Sequence, residues 1–183
     1  MAIKTNSVQV PELARLRHLI REIPDFPKKG ILFRDVTPLL ADPEGMALAV
    51  ECMARPWRDR PLDMVVGVES RGFIFGTALA RKFAVGFVPI RKPGKLPAAV
   101  RRIEYQLEYG TDALEIHQDA LRPGQHVLVV DDLLATGGTL AASCRLIRET
   151  GATIDGIAVL VELAACQGRE KLENVRVASV LTY

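Results

Sequence analysis

Cysteine, histidine and aromatic residues are scarce in this chain, and long apolar runs are missing; each scarcity removes a class of function. The three cysteines, Cys52, Cys144 and Cys166, stand far apart with no C-x-x-C pair. A disulfide framework is therefore not expected, and a reducing, cytoplasmic setting is. The three histidines, His18, His117 and His126, lack metal-ligand spacing, which argues against a zinc site. Aromatics make up 5% of the chain and the net charge is +2, far from the basic, aromatic-interleaved stripe of a nucleic-acid binder. The densest basic cluster, at 55–60, surrounds the lone Trp57 but is broken by Pro56 and Asp59, and it reads as a solvated loop. No apolar run approaches the roughly 20 residues of a membrane helix, and Lys4 is not followed by the apolar stretch of a signal peptide. Neither nucleic acid nor membrane is an expected partner.

What is present describes one soluble domain. The 183 residues are 49% hydrophobic and 25% charged, enough to close a core without disulfides or a structural metal. At 11–23, "PELARLRHLIREI" places Leu13, Leu16, Leu19, Ile20 and Ile23 on one face of a predicted helix. The turn-rich "PDFPKKG" leads to an extended piece in "ILFRDVTPLL", then to a helix start at Thr37-Pro38 and a helix over 43–53. Thereafter strands and helices alternate: a strand at Met64–Val68, a helix at Gly72–Phe83, a strand at 87–90, the strand "HVLVVDD", a helix from about 138 to 150, the strand "TIDGIAVLVEL", a short helical piece near Gly168–Leu172 and a last strand, "VASVLT". Continuous apolar strands alternating with helices predict an α/β fold, a parallel sheet covered on both faces, with ligands at the carboxyl ends of its strands. The stretch from 91 to 121 breaks the rhythm. "RKPGKLP" continues neither strand nor helix, and "IEYQLEY" alternates Ile103, Tyr105, Leu107 and Tyr109 against Glu104, Gln106 and Glu108, which predicts a two-stranded flap completed by "ALEIH".

One stretch joins opposite chemistries. In "VLVVDDLLATGGTL", at 127–140, an apolar strand ends in Asp131 and Asp132 and leads into the turn Ala135, Thr136, Gly137, Gly138, Thr139. Backbone N–H groups at the start of a helix, with threonine hydroxyls beside them, form an anion cradle, while carboxylates accept hydrogen bonds from vicinal hydroxyls or hold a hydrated metal. A phosphorylated sugar satisfies both halves. No G-x-x-x-x-G-K-[ST] and no G-x-G-x-x-G after a strand occurs, so nucleoside-triphosphate hydrolysis and dinucleotide binding are not expected. In "VGVESRGFIFG", Ser70, the backbone beside Glu69 and the guanidinium of Arg71 suit a diphosphate. The cationic loop Arg91-Lys92-Pro93-Gly94-Lys95 suits a clamp on a diphosphate leaving group.

The motif 131–139 resembles the phosphoribosyl-pyrophosphate (PRPP) loop of the type I phosphoribosyltransferases. Together with "FRDVTPLL", "ESRGFIFG", "RKPGKLP" and "YQLEYG" it resembles the branch of that family acting on adenine; Ala135 stands where oxopurine enzymes usually carry a third aspartate. The resemblance implies a single domain at 1–183 with a small hood at about 1–38, a flexible β flap at 91–121 and the PRPP loop at 131–139. It implies transfer of the 5-phosphoribosyl group of PRPP to adenine, giving AMP and pyrophosphate in purine salvage, with Mg²⁺ as cofactor and a homodimer as the assembly. It further implies catalytic roles for Glu108, Arg71 and Lys95. Ribose and 5′-phosphate would contact Asp131, Asp132, Ala135, Thr136, Gly137, Gly138 and Thr139. Pyrophosphate would contact Glu69, Ser70, Arg71, Arg91, Lys95 and Tyr109, and adenine Leu32, Phe33, Arg34 and Leu133. Mg²⁺ would be held mainly by PRPP and water near Asp131 and Asp132, and a cis peptide is expected at Glu69-Ser70. A transferase for another base would share the PRPP loop and differ in the hood. A non-catalytic PRPP sensor would need a DNA-binding module, for which the helix before Pro24 leaves no room. A purely structural role would leave the acidic pair beside the phosphate turn without a reason.

Overall fold

The computed structural model describes residues 9–106, 110–172 and 174–183. Five parallel strands form the central sheet: β3 (Met64–Val68), β4 (Gly86–Ile90), β7 (His126–Leu134), β8 (Thr153–Glu162) and β9 (Val177–Thr182), in the order β4-β3-β7-β8-β9. From β3 the chain passes through helix α4 (Gly72–Phe83) to β4 on one side, whereas β7, helix α5 (Gly138–Arg148), β8 and β9 build outward on the other. The direction of winding therefore reverses between β3 and β7, and the loops leaving these two strands splay apart to open a crevice at their carboxyl ends.

Both sheet faces are buried, and the alternation along β7 shows how. Val127 and Val129 enter one core with α5 and the hairpin of β5 (Val100–Gln106) and β6 (Thr111–His117). Leu128 and Val130 enter the other, with α4, α3 (Pro43–Ala54) and α1 (Val10–His18). Burial on both faces at period two accounts for the unbroken apolar runs of the parallel strands. α3 begins at Pro43, where the Asp42 carboxylate accepts from the Gly45 amide at 2.6 Å, a side-chain cap of the helix start. Among the described residues, no helix is long and apolar enough to cross a membrane.

Three sequence expectations change. The helix predicted over 11–23 stops at His18, and 21–24 instead forms β1 (Arg21–Pro24), antiparallel to β2 (Leu32–Asp35). Antiparallel pairing with β2 over four residues outweighs the apolar spacing of Ile20 and Ile23, and Arg21 adds two donations to the Asp35 carboxylate, at 3.0 and 2.6 Å. The cluster at 55–60 is no solvated loop: a 3-10 turn at Arg55–Trp57 buries Trp57 completely, Arg55 pairs with Glu12 at 2.5 Å and Arg58 with Glu51, and Arg176 lies over the indole at 5.1 Å. Finally, β7 does not end at the two aspartates. It pairs with β3 only as far as Val130 and with β8 as far as Leu134. Asp131 and Asp132 are thus still in a strand, at the point where its neighbour on one side has left.

Candidate active site

The crevice between β3 and β7 holds a cleft of about 380 Å³ lined by Glu69, Ser70, Arg71, Lys92 and residues 131–140. Its first wall follows β3, where Glu69-Ser70 is a cis peptide, as expected, and α4 starts at once. Gly72 makes that start possible: a methyl there would sit 2.8 Å from the Val130 carbonyl oxygen and 2.9 Å from Asp131 Oδ1. The first turn of α4 therefore lies against β7, and Arg71 Nε reaches Asp132 Oδ2 at 2.5 Å.

The second wall is the acidic pair and its turn. The Asp132 amide donates to Asp131 Oδ1 at 2.9 Å. Burial pushes the Asp131 carboxyl well above the usual carboxylate range, and the charge of Asp132 adds to the shift, with Arg71 opposing it. Downstream, Gly137 takes φ +76° at the head of α5, a left-handed conformation that favours glycine. Its α-carbon faces the Gly168 carbonyl so closely that a side chain would collide with it. The N-cap, Gly137, has no side chain with which to cap α5, so among the described residues the first-turn amides beside the cleft are left for an anion.

The cationic loop forms the third side. Arg91 continues the hairpin by pairing both backbone groups with Glu115, at 2.9 and 2.8 Å. The Glu69 carboxylate gathers the loop: it accepts from the Lys92 amide at 2.8 Å, from Lys95 Nζ at 3.0 Å and from Arg91 Nε at 3.3 Å. Burial pushes its pKa up, but these three donors outweigh burial and hold it below the ordinary value. Lys92 turns toward the flap, pairing with Asp112 and approaching the Tyr105 hydroxyl at 3.3 Å. Tyr105 in turn meets Thr139 Oγ1 at 3.3 Å, so flap, cationic loop and turn form one hydrogen-bonded unit.

The structure thus gathers Glu69, Ser70, Arg71, Asp131, Asp132, Leu133, Ala135, Thr136, Gly137, Gly138 and Thr139 around one cleft, with Arg91 and Lys95 attached to its edge through Glu69. Glu108 and Tyr109 lie outside the described residues. The residues expected to meet adenine divide. Phe33 approaches Arg71, whose guanidinium carbon is 5.9 Å from its ring centre. Leu32 and Arg34 share the other face of β2 by strand alternation; the Arg34 side chain pairs with Glu22 and stacks on Tyr183 at 4.0 Å. Among the described residues, the two-stranded ribbon leaves β2 one edge with no strand partner, so its backbone groups are available for hydrogen bonds. Sequence reasoning placed Lys92 in the clamp without a role of its own and missed Asp112 and Gly168. Lys92 lay within the quoted cationic motif, whereas the other two matter only through contacts distant in sequence.

The comparisons with known proteins agree with this architecture. The phosphoribosyl transferase domain family matches residues 43–181. The adenine phosphoribosyltransferase of Rhodopirellula baltica is 55% identical over 168 residues, 92% of this chain and 82% of its own. The crystal structure of adenine phosphoribosyltransferase from Thermoanaerobacter pseudethanolicus has a TM-score of 0.91 at 50% identity, over 93% of this chain and 99% of that one. The Saccharomyces cerevisiae enzyme, crystallised with an imino-altritol bisphosphate and adenine, has a TM-score of 0.89 at 36% identity, over 94% of this chain and 100% of its own.

Proposed function

The chain belongs to the phosphoribosyl transferase family and, within it, to the adenine phosphoribosyltransferases, and from that premise we propose how its cleft transfers the 5-phosphoribosyl group of PRPP to adenine, yielding AMP and pyrophosphate in purine salvage. The observation that carries the proposal is the juxtaposition of an acidic pair, a glycine-headed helix start and a cationic loop around one crevice. The amides at 136–139 and the hydroxyls of Thr136 and Thr139 take the 5′-phosphate. Asp131 and Asp132 accept hydrogen bonds from the ribose hydroxyls. Ser70, Arg71, Arg91 and Lys95 take the diphosphate, and Glu69 acts by holding the cations in place. As pyrophosphate leaves, positive charge develops on the ribose and negative charge on the leaving group. Carboxylates on one side and guanidinium and ammonium groups on the other favour that separated state over the bound substrate.

The residues present fit a magnesium ion. Asp131 is a half-buried carboxyl pressed against the buried carboxylate of Asp132, a pair that a cation would relieve. Among the described residues no cluster of three or more metal-ligating side chains occurs, which suits an ion that keeps water and substrate oxygens. It would be held mainly by PRPP and water beside Asp131 and Asp132, and when bound it would neutralise diphosphate charge. Adenine would lie beneath the hood, its edge read by the backbone of β2 near Leu32 and Arg34 and its faces covered by Phe33 and Leu133. Glu108 would serve N7 of the base, with Tyr109 beside the diphosphate. A homodimer in the cytoplasm completes the reading.

The test is product formation with PRPP and Mg²⁺ against adenine, hypoxanthine, guanine and xanthine, with Asp131→Asn/Asp132→Asn as control. AMP formed from adenine alone, and lost in the control, supports the assignment; turnover of another base overturns the hood. Glu108→Gln should lower kcat more than PRPP affinity, and unchanged turnover would remove it from the mechanism.

A further inference from the structure

Tyr183, immediately past β9, is fixed through its backbone. Its N–H donates to the Glu162 carbonyl at 2.9 Å, and its own carbonyl accepts from the Ala164 amide at 2.8 Å. The ring so held receives two guanidinium groups from separate elements: Arg34 of β2 at 4.0 Å from its centre and Arg17 of α1 at 4.7 Å. Arg17 also donates to the Thr182 carbonyl at 2.8 Å. The Arg34 side chain is only 13% exposed and pairs with Glu22 across the ribbon, so its contact with the ring is largely out of water, where a cation over an aromatic face counts most.

This contact has a geometric consequence for the cleft. Among the described residues, the ribbon β1-β2 is hydrogen-bonded to no strand of the main sheet, so side chains attach it to the sheet. Phe33 and Arg34 project from opposite faces of β2, and Phe33 is the one that approaches Arg71. Fixing Arg34 on one face therefore sets the height and roll of the strand that presents Phe33 and its backbone on the other.

We propose that Tyr183 is a positioning residue for base recognition, holding β2 at its working distance over the cleft through Arg34 and Arg17. The inference rests on the reading of β2 as the base-reading strand. Its test is steady-state kinetics of Tyr183→Leu, which keeps apolar volume but loses the π face, and Tyr183→Phe, which keeps the face, with Phe33→Ala reporting on the base site itself. Tyr183→Leu should raise the adenine KM about tenfold, with the PRPP KM within about twofold of wild type, and Tyr183→Phe should restore the adenine KM. Arg17→Gln, on the exposed side of α1, should raise the adenine KM about threefold and decides the matter if Tyr183→Leu does not fold. A raised adenine KM in Phe33→Ala beside unchanged values in the Tyr183 and Arg17 variants overturns the inference and leaves the base site standing. Equal rises in both substrates' KM, or no rescue by Phe, reduce Tyr183 to a packing residue and also overturn it. No change in any variant, Phe33→Ala included, removes the base-site reading and the inference with it.

Discussion

Glu69 and Asp131 stand on opposite walls of the same cleft, and their surroundings are inverse. Glu69 is crowded with donors, an amide and two cationic side chains, and stays ionised despite burial. Asp131 has one backbone donor and a second carboxylate as its neighbour, and burial drives its pKa upward. One carboxylate is satisfied by the protein itself; the other is left to be satisfied by what binds. Buried charge that the fold completes is scaffolding, while buried charge that it leaves incomplete marks where ligand chemistry enters.

Charge removal should therefore act with opposite signs on the two walls. Asp131→Asn should lower kcat by about 10²- to 10³-fold, yet raise the melting temperature of the ligand-free protein, since a carboxyl that burial and the Asp132 charge both disfavour disappears while the Arg71–Asp132 pair stays. Calorimetry beside a turnover assay reads both, and a fall in melting temperature would end the contrast. Glu69→Gln should do the reverse, losing about 1–3 kcal/mol of stability and raising the PRPP KM about tenfold as Arg91 and Lys95 lose their holder.

The acid limb sharpens the distinction. Because the folded pKa of Glu69 lies below its unfolded value, its contribution is complete above the ordinary carboxylate range and is lost as pH falls through the folded pKa. Urea midpoints measured from pH 6 downward should fall less steeply in Glu69→Gln than in wild type; parallel curves would contradict the role given to Glu69. The smallest effect belongs to Asp112→Asn. Its ion pair with Lys92 is about a third exposed, so the stability loss should stay under about 1 kcal/mol. A larger loss in denaturant titration would show that the network through Tyr105 and Thr139 carries more of the structure than its exposure implies.

Local pattern carried much of this protein in plain view. The bounds expected for β3, α4 and β9 coincide with the observed ones, because unbroken apolar strands and a glycine-headed amphipathic helix need no distant partner to be recognised. The helix expected over 11–23 went astray where two isoleucines fit either period and pairing with β2 decided between them. Trp57 looked like part of a solvated cluster because the partners that bury it and neutralise its arginines, Glu12, Glu51 and Arg176, are spread along the chain. At the cleft, motif spacing names Ser70, Arg71 and the turn at 135–139, since backbone geometry there depends on adjacent residues. The pairing of Arg71 with Asp132, 61 residues apart, leaves no local trace, and neither does the hold of Glu69 on the cationic loop.

The meeting of Gly137 and Gly168 extends the site beyond its own motif. A side chain on Gly168 would collide with the Ala135 carbonyl, just as one on Gly137 would collide with that of Gly168. The turn at 135–139 is thus cast against a mould that lies some thirty residues downstream. Variation at position 168 should therefore distort that turn, and a mutational scan should group it with 135–139.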